Sequence, residues 1–250
     1  MFNFFADSGS RLGAYYSITG PDYNHIKNVL RLCIGDRILI SENGSSNLCE
    51  IISFDDNTVR LEIIEENYQS TELPIKLYLF QGLPKGDKME LIIQKTVELG
   101  VFEIIPTEMN RCIVKLEEKK KKSKTERWQT ISESAAKQSK RNIVPGIHNV
   151  LSWKNALETA KGLDLLLVPY ESHNGMLSTK KALQSLSKGM SVGIFIGPEG
   201  GFDENEINDL AEIGANIISL GRRILRTETA AITAIGMCML YTETLLSGEE

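Results

Sequence analysis

Apolar and polar positions alternate differently in two parts of the chain. In residues 1–70, runs of strand type are separated by Asn43-Gly44 and by Asp55–Asn57, which tolerate the positive φ of tight turns. Short strands joined by such turns predict a small β-barrel. The predicted strands are Arg37–Ser41, Leu48–Phe54 and Thr58–Ile64.

A helical spacing precedes these strands. In His25–Leu32 the apolar residues Ile26, Val29 and Leu30 recur at intervals that place them on one helix face.

After a polar linker, Asn67–Pro74, strands and helices alternate up to Leu246. This order predicts an α/β domain with a largely parallel sheet, and the domain division is 1–70 and 73–250. Predicted helix starts include Asp87, with Glu90 three residues on as a capping box, and Ser152. Predicted strands are Ile75–Gln81, Val101–Ile105, Leu163–Val168, Val192–Ile196 and Asn216–Leu220; predicted helices are Asp87–Gly100, Trp153–Ala160 and Thr179–Leu186.

The stretch 191–229 contains two strand-to-helix turns about 25 residues apart, the spacing of one βαβ unit. The first turn is Gly197–Gly201, followed by a capping box of Asp203 and Glu206, and Gly214 ends that helix. The second turn begins at Gly221. Both turns should face the carboxyl edge of one sheet, where open α/β sheets bind ligands.

The chemistry of the first turn limits its ligand. No GxxxxGK[ST] or GxGxxG motif occurs, and the carboxylate of Glu199 would repel a triphosphate. Side-chain-free positions let backbone approach a flat base, so an adenosine cofactor without phosphates suits the turn better. A tight turn before a capped helix would explain the same residues with no ligand.

Composition is that of an ordinary globular protein: 250 residues, 42% hydrophobic and 24% charged. The four cysteines are widely spaced without a CxxC pair, and there are three His, so we expect no metal site and a reducing, cytoplasmic location. We expect no signal peptide and no membrane segment.

Positive charge is concentrated between Arg111 and Arg141. This window holds eleven Lys and Arg against four Glu, a net +7, while the rest of the chain carries −12. Such a cluster fits a phosphate backbone, although Lys119–Lys124 taken singly fit a solvated, partly mobile lysine run. The candidates for fixed contacts flank ordered segments: Arg111, Lys137, Lys140 and Arg141.

The motifs GPEGGFDENEI and LGRRILRTETAA resemble the signature of the bacterial small-subunit (16S) ribosomal RNA uracil-N3 methyltransferases, members of the SPOUT superfamily. Similarity extends to KGDKMELIIQKTVELGV, ESAAKQSKRNIVP and HIKNVLRLCIGDRI, and so to nearly the whole chain. The resemblance implies a trefoil-knotted α/β domain, a PUA-like RNA-binding barrel, S-adenosylmethionine as cofactor and a homodimer. It also implies ribosomal RNA, within an assembled small subunit, as substrate.

The resemblance places the cofactor among three turns. These are Pro169–Glu171, Gly197–Gly201 and Leu220–Leu225. The expected cofactor contacts are Val168, Pro169, Tyr170, Ile196, Gly197, Pro198, Glu199, Gly200, Gly201, Leu220, Gly221 and Leu225. The expected RNA contacts are Lys27, Arg31, Lys137, Lys140, Arg141, Arg222 and Arg223.

Methylation of uracil N3 requires removal of its proton and stabilisation of the resulting anion. We expect Arg226 and Arg111 to stabilise that charge. Glu228 is either the base or an arginine partner, or only a carboxylate favoured by a helix dipole. Two alternatives remain: another SPOUT reaction, such as ribose 2′-O-methylation, and a non-catalytic RNA-binding protein.

Overall fold

The computed structural model describes residues 1–7, 9–170 and 175–245, in two compact units. The first unit comprises residues 1–72 and 136–144, and the second comprises 73–135 and the residues from 145 onward. The segment 136–144 therefore packs with the first unit, whereas the division drawn from the sequence assigns it to the second domain.

The first unit is a six-stranded sheet with a short helix. Its strands are β1 (Asn3–Phe5), β2 (Arg11–Leu12), β3 (Tyr15–Ile18), β4 (Arg37–Glu42), β5 (Ser45–Asp55) and β6 (Thr58–Glu65), in the order β1-β4-β5-β6-β3-β2. Among the described strand pairs of this unit, β1–β4 is parallel and the others are antiparallel. Asn43 (φ 51°) and Gly44 (φ 83°) form the predicted hairpin turn between β4 and β5.

The helical segment of this unit departs from the prediction. Helix α1 (Gly20–Asn24) continues into a π-helical turn, His25–Val29. Ile26 enters the core, but Val29 is 62% exposed. The prediction for Val29 was wrong because the wider π turn rotates it away from the face that the α-helical period assigns to it.

The second unit is built on a parallel sheet. Its strands are β7 (Lys76–Gly82), β8 (Val101–Glu108), β9 (Gly146–Ile147), β10 (Leu151–Ser152), β11 (Leu165–Pro169), β12 (Ser191–Ile196) and β13 (Asn216–Ile218), in the order β10-β8-β7-β12-β11-β13, with β9 beside β8. Its helices are α2 (Lys88–Glu98), α3 (Glu118–Gln138, whose last turn belongs to the first unit), α4 (Trp153–Ala160), α5 (Gly175–Gln184), α6 (Glu204–Glu212) and α7 (Thr227–Leu245). The predicted α/β class is confirmed.

Aromatic packing fills the centre of this sheet. The rings of Phe80 on β7 and Phe195 on β12 stack 4.3 Å apart, and Trp153 meets Phe195 edge-on at 5.8 Å. The Trp153 indole also donates to Asp209 at 2.8 Å, so helices α4 and α6 are joined on the same side of the sheet. These contacts pack the neighbouring strands β7 and β12 against α4 and α6.

Local helix signals had mixed outcomes. Ser152 accepts from Asn155 N, and Asp203 with Glu206 forms a complete capping box, both as predicted. The capping box predicted at Asp87 was wrong: its side chain makes no cap bond, and Glu90 instead accepts from Arg127 at 2.9 Å.

No helix within residues 1–7, 9–170 and 175–245 combines the length and apolar character needed to span a membrane.

Candidate functional site

Parallel pairing brings the loops after β7, β8, β11, β12 and β13 to one edge of the sheet. β12 lies between β7 and β11, and β11 pairs with β13. The two strand-to-helix turns, 197–203 and 219–226, therefore share the carboxyl edge, as predicted.

A chain of hydrogen bonds joins the glycine turn to the start of α7. Gln81 Nε2 donates to Thr227 Oγ1 at 3.0 Å, and Thr227 Oγ1 donates to the Gly197 carbonyl at 2.7 Å. Gln81 is fully buried. A Cβ on Gly82 would lie 2.8 Å from Pro198, so the end of β7 can approach the turn only without a side chain. Three segments distant in sequence are thereby held in one arrangement.

The glycines of the turn are needed for packing within the protein. A Cβ on Gly197 would lie 3.1 Å from the Gly201 carbonyl carbon, and one on Gly200 would lie 3.0 Å from Arg111 Cβ. Gly201 has φ +69°. From the sequence, the lack of side chains at these positions was predicted to let a ligand approach closely. At Gly197 and Gly200, neighbouring protein atoms already exclude a side chain.

The loop after β8 is docked on the same turn through a buried carboxylate. Glu206 accepts from Asp203 N at 2.8 Å and from Asn110 N at 2.7 Å. The next residue, Arg111, donates from Nη1 to the Gly200 carbonyl at 3.1 Å. The capping box therefore also fixes the Arg111 loop, a function that its sequence pattern did not reveal.

Two adjoining cavities lie between these loops. The larger has a volume of about 450 Å³ and the smaller about 160 Å³, and they share Pro169, Tyr170, Leu225 and Ala230. Ten of the twelve predicted cofactor contacts line one or both. These ten are Pro169, Tyr170, Ile196, Gly197, Pro198, Glu199, Gly201, Leu220, Gly221 and Leu225.

The other two residues lie elsewhere. Val168 is fully buried within β11, and Gly200 packs against Arg111. Glu171, also expected near the cofactor, lies outside the described residues. Several other lining residues were not predicted from the sequence: Lys88, Phe202, Ser219, Thr227 and Ala230.

The wall of the smaller cavity is the segment 219–225, which α5 holds in place. Thr179 Oγ1 donates to the Ser219 carbonyl at 2.7 Å and accepts from Ser219 N at 3.0 Å. Gly221 has φ +112°, which allows the sharp turn that follows. Arg222 and Arg223 line this cavity and are exposed, as contacts to RNA would have to be.

Charged side chains meet at the larger cavity. Lys88, the first residue of α2, lies with Nζ 2.9 Å from Glu199 Oε1 and 3.5 Å from Glu228 Oε2. The hydrogen bond to Glu199 raises the pKa of Lys88. Burial raises the pKa of Glu199, but hydrogen bonds from Lys88 and from backbone N–H groups, including Lys85 N at 3.0 Å, outweigh it and leave that pKa lowered.

The three predicted catalytic residues differ in position. Arg226 is exposed and lines the larger cavity. Arg111 and Glu228 do not line it. Arg111 donates to the Gly200 carbonyl, and the Glu228 carboxylate lies 3.5 Å from Lys88 Nζ. Among the residues that the structure describes, the cation paired with Glu228 is Lys88 and not an arginine. Lys88 could have been found from its place just after β7, at the same sheet edge.

The predicted RNA contacts of the first unit are unequal. Lys27 and Arg31 are exposed, and so is Lys140. Lys137 is bonded to Asp22 at 2.7 Å. Arg141 is a correction: its residue surface is 2% exposed and its guanidinium binds Glu72 through Nε and Nη2, so it is part of the internal structure of the unit and not a phosphate contact.

Part of the lysine run is also paired. Lys121 lies 2.8 Å from Glu118 and 3.1 Å from Glu108. Lys119, Lys120 and Lys122 are exposed on α3. The exposed positive surface of this helix is therefore smaller than the sequence count of charges suggests.

Comparisons with known proteins agree with this architecture. Residues 71–239 match the family model of an RNA methyltransferase domain, and residues 18–64 match that of an RNA methyltransferase PUA domain. The chain is 44% identical to the ribosomal RNA small subunit methyltransferase E of Bacillus subtilis, over 94% of this chain and 93% of that protein. The protein of the same name from Mesomycoplasma hyopneumoniae is 33% identical over 96% and 99% of the two chains.

A solved structure of a ribosomal RNA small subunit methyltransferase E from Neisseria gonorrhoeae, bound to S-adenosyl methionine, is also similar. It aligns with a TM-score of 0.79 and 29% identity over 98% of each chain. The predicted PUA-like and methyltransferase domain types are confirmed. The chain belongs to the RNA methyltransferase family that includes the ribosomal RNA small subunit methyltransferase E proteins.

Proposed function

We propose that this protein transfers the methyl group of S-adenosylmethionine to N3 of a uridine in small-subunit ribosomal RNA. The observation that carries the proposal is the pair of adjoining cavities formed by the loops after β11, β12 and β13. The named relatives act on small-subunit ribosomal RNA, and one binds S-adenosyl methionine.

The cavity walls fit this cofactor. The segment 219–225 offers peptide groups beside the apolar side chains of Leu220 and Leu225, a surface suited to the edges and faces of adenine. The larger cavity offers the carboxylate of Glu199, which suits the ammonium group of the amino-acid end and the sulfonium. When bound, the cofactor supplies an electrophilic methyl group.

Residues of this chain must then hold the base and stabilise charge. An N3 that has lost its proton shares the negative charge with both carbonyl oxygens of the base, and a fixed cation beside them lowers the barrier. Arg226 lines the cavity that would receive the base. Arg111, docked on Gly200, is the second candidate, acting from the rim of the turn.

The RNA is proposed to bind three exposed basic surfaces. Lys27, Arg31 and Lys140 belong to the PUA-like unit, and Arg222 and Arg223 lie beside the smaller cavity. Lysines of α3 add the third surface. Contacts between basic side chains and the RNA phosphate backbone position a substrate without reading its sequence. The assembled small subunit is the proposed form of the substrate, in the cytoplasm.

A homodimer and a trefoil knot complete the proposal. Helices α2 and α7 pack together and leave Leu91 and Leu240 42% and 59% exposed. An apolar surface of this kind suits a second copy of the chain. The knot is inferred from the SPOUT resemblance, and an experimental backbone trace of the segment 191–245 tests it.

Mass spectrometry of ribosomal RNA tests the reaction. Small subunits from cells lacking the protein are incubated with it and with S-adenosylmethionine labelled in the methyl group. We expect one labelled uridine with the methyl on N3. A methyl on a ribose oxygen would establish the alternative SPOUT reaction, and cofactor binding without any transfer would refute catalysis on this substrate.

A further inference from the structure

Lys88 is a cation of the larger cavity whose position is set by two carboxylates. Its Nζ lies 2.9 Å from Glu199 on the glycine turn and 3.5 Å from Glu228 on α7. Its side chain is 30% exposed and lines the cavity. An ammonium has three donors, so it can keep both carboxylates and still donate to a ligand.

Glu228 is placed to support the lysine and not to meet a ligand itself. Its side chain is 14% exposed and does not line the cavity, and its buried Oε2 makes no hydrogen bond to any described residue but faces Lys88 Nζ at 3.5 Å. A buried carboxylate oxygen in that position favours a protonated lysine beside it. Glu199 adds the second negative charge at 2.9 Å.

We propose that Lys88 is a catalytic residue that donates to a carbonyl oxygen of the target uracil, with Glu228 as the positioning residue that holds it. The inference rests on the proposed function. The N3 proton passes to a solvent base, and the electron pair left on the ring is shared by N3 and the two oxygens. N3 then bonds to the methyl carbon while the electrons of the S–C bond return to sulfur, giving the thioether.

The position of Lys88 distinguishes it from the arginines. Arg111 has a donor engaged with the Gly200 carbonyl and does not line the cavity, and Arg226 lies in a segment without helix or strand structure. Lys88 begins α2, whose residues Met89, Ile92 and Ile93 are buried. A cation on this anchored helix can be held at one place, as stabilisation of a developing charge requires.

The test compares Lys88→Met with Lys88→Arg and with the control Lys95→Met. Lys95 is on the same helix and has an acidic partner, Glu98, at 2.9 Å, but it does not line the cavity. Calorimetry measures S-adenosylmethionine affinity, and single-turnover transfer is measured on small subunits with uridine or 5-fluorouridine. The fluorine makes the N3 proton more acidic, so the anion needs less stabilisation.

For Lys88→Met we expect cofactor affinity within about twofold of the unmodified protein and a rate lower by about a hundredfold, the effect of losing one charge-stabilising donor. The deficit should shrink at least about fivefold on 5-fluorouridine RNA. Lys88→Arg should retain more activity than Lys88→Met, and Lys95→Met should match the unmodified protein.

Three results would overturn the inference. One is an unchanged rate for Lys88→Met, another is a deficit of equal size on both RNAs, and the third is a loss of cofactor affinity that accounts for the rate. Glu228→Gln provides a second variant, expected to reproduce a smaller deficit with the same fluorine dependence. If the unmodified protein binds no cofactor or methylates no uridine N3, the proposed function fails instead.

Discussion

Glu206 should hold the glycine turn, the α6 cap and the Arg111 loop together. The residue is 1% exposed and accepts 2.8 and 2.7 Å hydrogen bonds from Asp203 N and Asn110 N. Glu206→Ala removes both acceptors. Hydrogen bonds to a charged group are worth about 1.5–3 kcal/mol each. Because Asp203 and Asn110 lie partly in solvent, water can replace part of the loss, which gives a total of about 3 kcal/mol.

The assay is thermal unfolding, with tryptophan fluorescence as the measured signal. Both tryptophans, Trp128 and Trp153, belong to the second unit, so the signal reports that unit without interference from the PUA-like one. For a domain of this size, about 3 kcal/mol lowers the midpoint by roughly 6–12 °C. Glu206→Gln keeps one acceptor and should lose about half as much.

Glu204→Ala is the matched control. Glu204 lies in the first turn of the same helix but is exposed, so its removal costs only the helix-dipole interaction, about 0.3–1 kcal/mol. A midpoint for Glu206→Ala within about 2 °C of the Glu204→Ala midpoint would refute the reasoning, since the two buried bonds would then contribute nothing.

Three further predictions concern the proposed activity. Arg226→Lys should lower single-turnover methyl transfer by about a hundredfold while leaving RNA affinity within about twofold, because lysine lacks the planar fork of donors; weakened RNA binding at an unchanged rate would make Arg226 a phosphate contact. Replacing Lys119, Lys120 and Lys122 with Ala should weaken RNA binding of any sequence and reduce its salt dependence, with the rate at saturating RNA unchanged; filter binding across a salt series measures this, and an unchanged slope would leave these lysines as solvated surface. Leu240→Glu should shift the protein from dimer to monomer in analytical ultracentrifugation, whereas a dimer in the variant would place the interface elsewhere.

Local patterns predicted the features that depend on neighbours in sequence. Asn43-Gly44 forms its hairpin turn, Ser152 and Asp203 cap their helices, and Gly214 ends α6 with φ +81°. Alternating strands and helices predicted the parallel sheet and its ligand-binding edge, because connections between parallel strands bring successive carboxyl ends to the same side. Ten lining residues of the two cavities followed from that edge and from the family resemblance.

Pairing between distant charges could not be predicted in this way. Arg141 and Lys88 are basic residues in polar stretches, and the sequence alone gives neither a partner. Glu72 is 69 residues from Arg141, and Glu199 is 111 residues from Lys88. The same separation explains why the sequence did not group the segment 136–144 with residues 1–72 and why the Gly200 constraint was attributed to a ligand rather than to Arg111.

The sequence by itself determined the order of elements, the turns and caps between them, and the sheet edge at which loops meet, since each is set by the period and backbone preferences of adjacent residues. Only the tertiary structure decided which charges are neutralised inside the protein and which face the cavities. That distinction depends on burial and on partners brought together by folding, which fix whether a lysine or arginine is an internal ion pair, a solvated side chain or a group available to RNA.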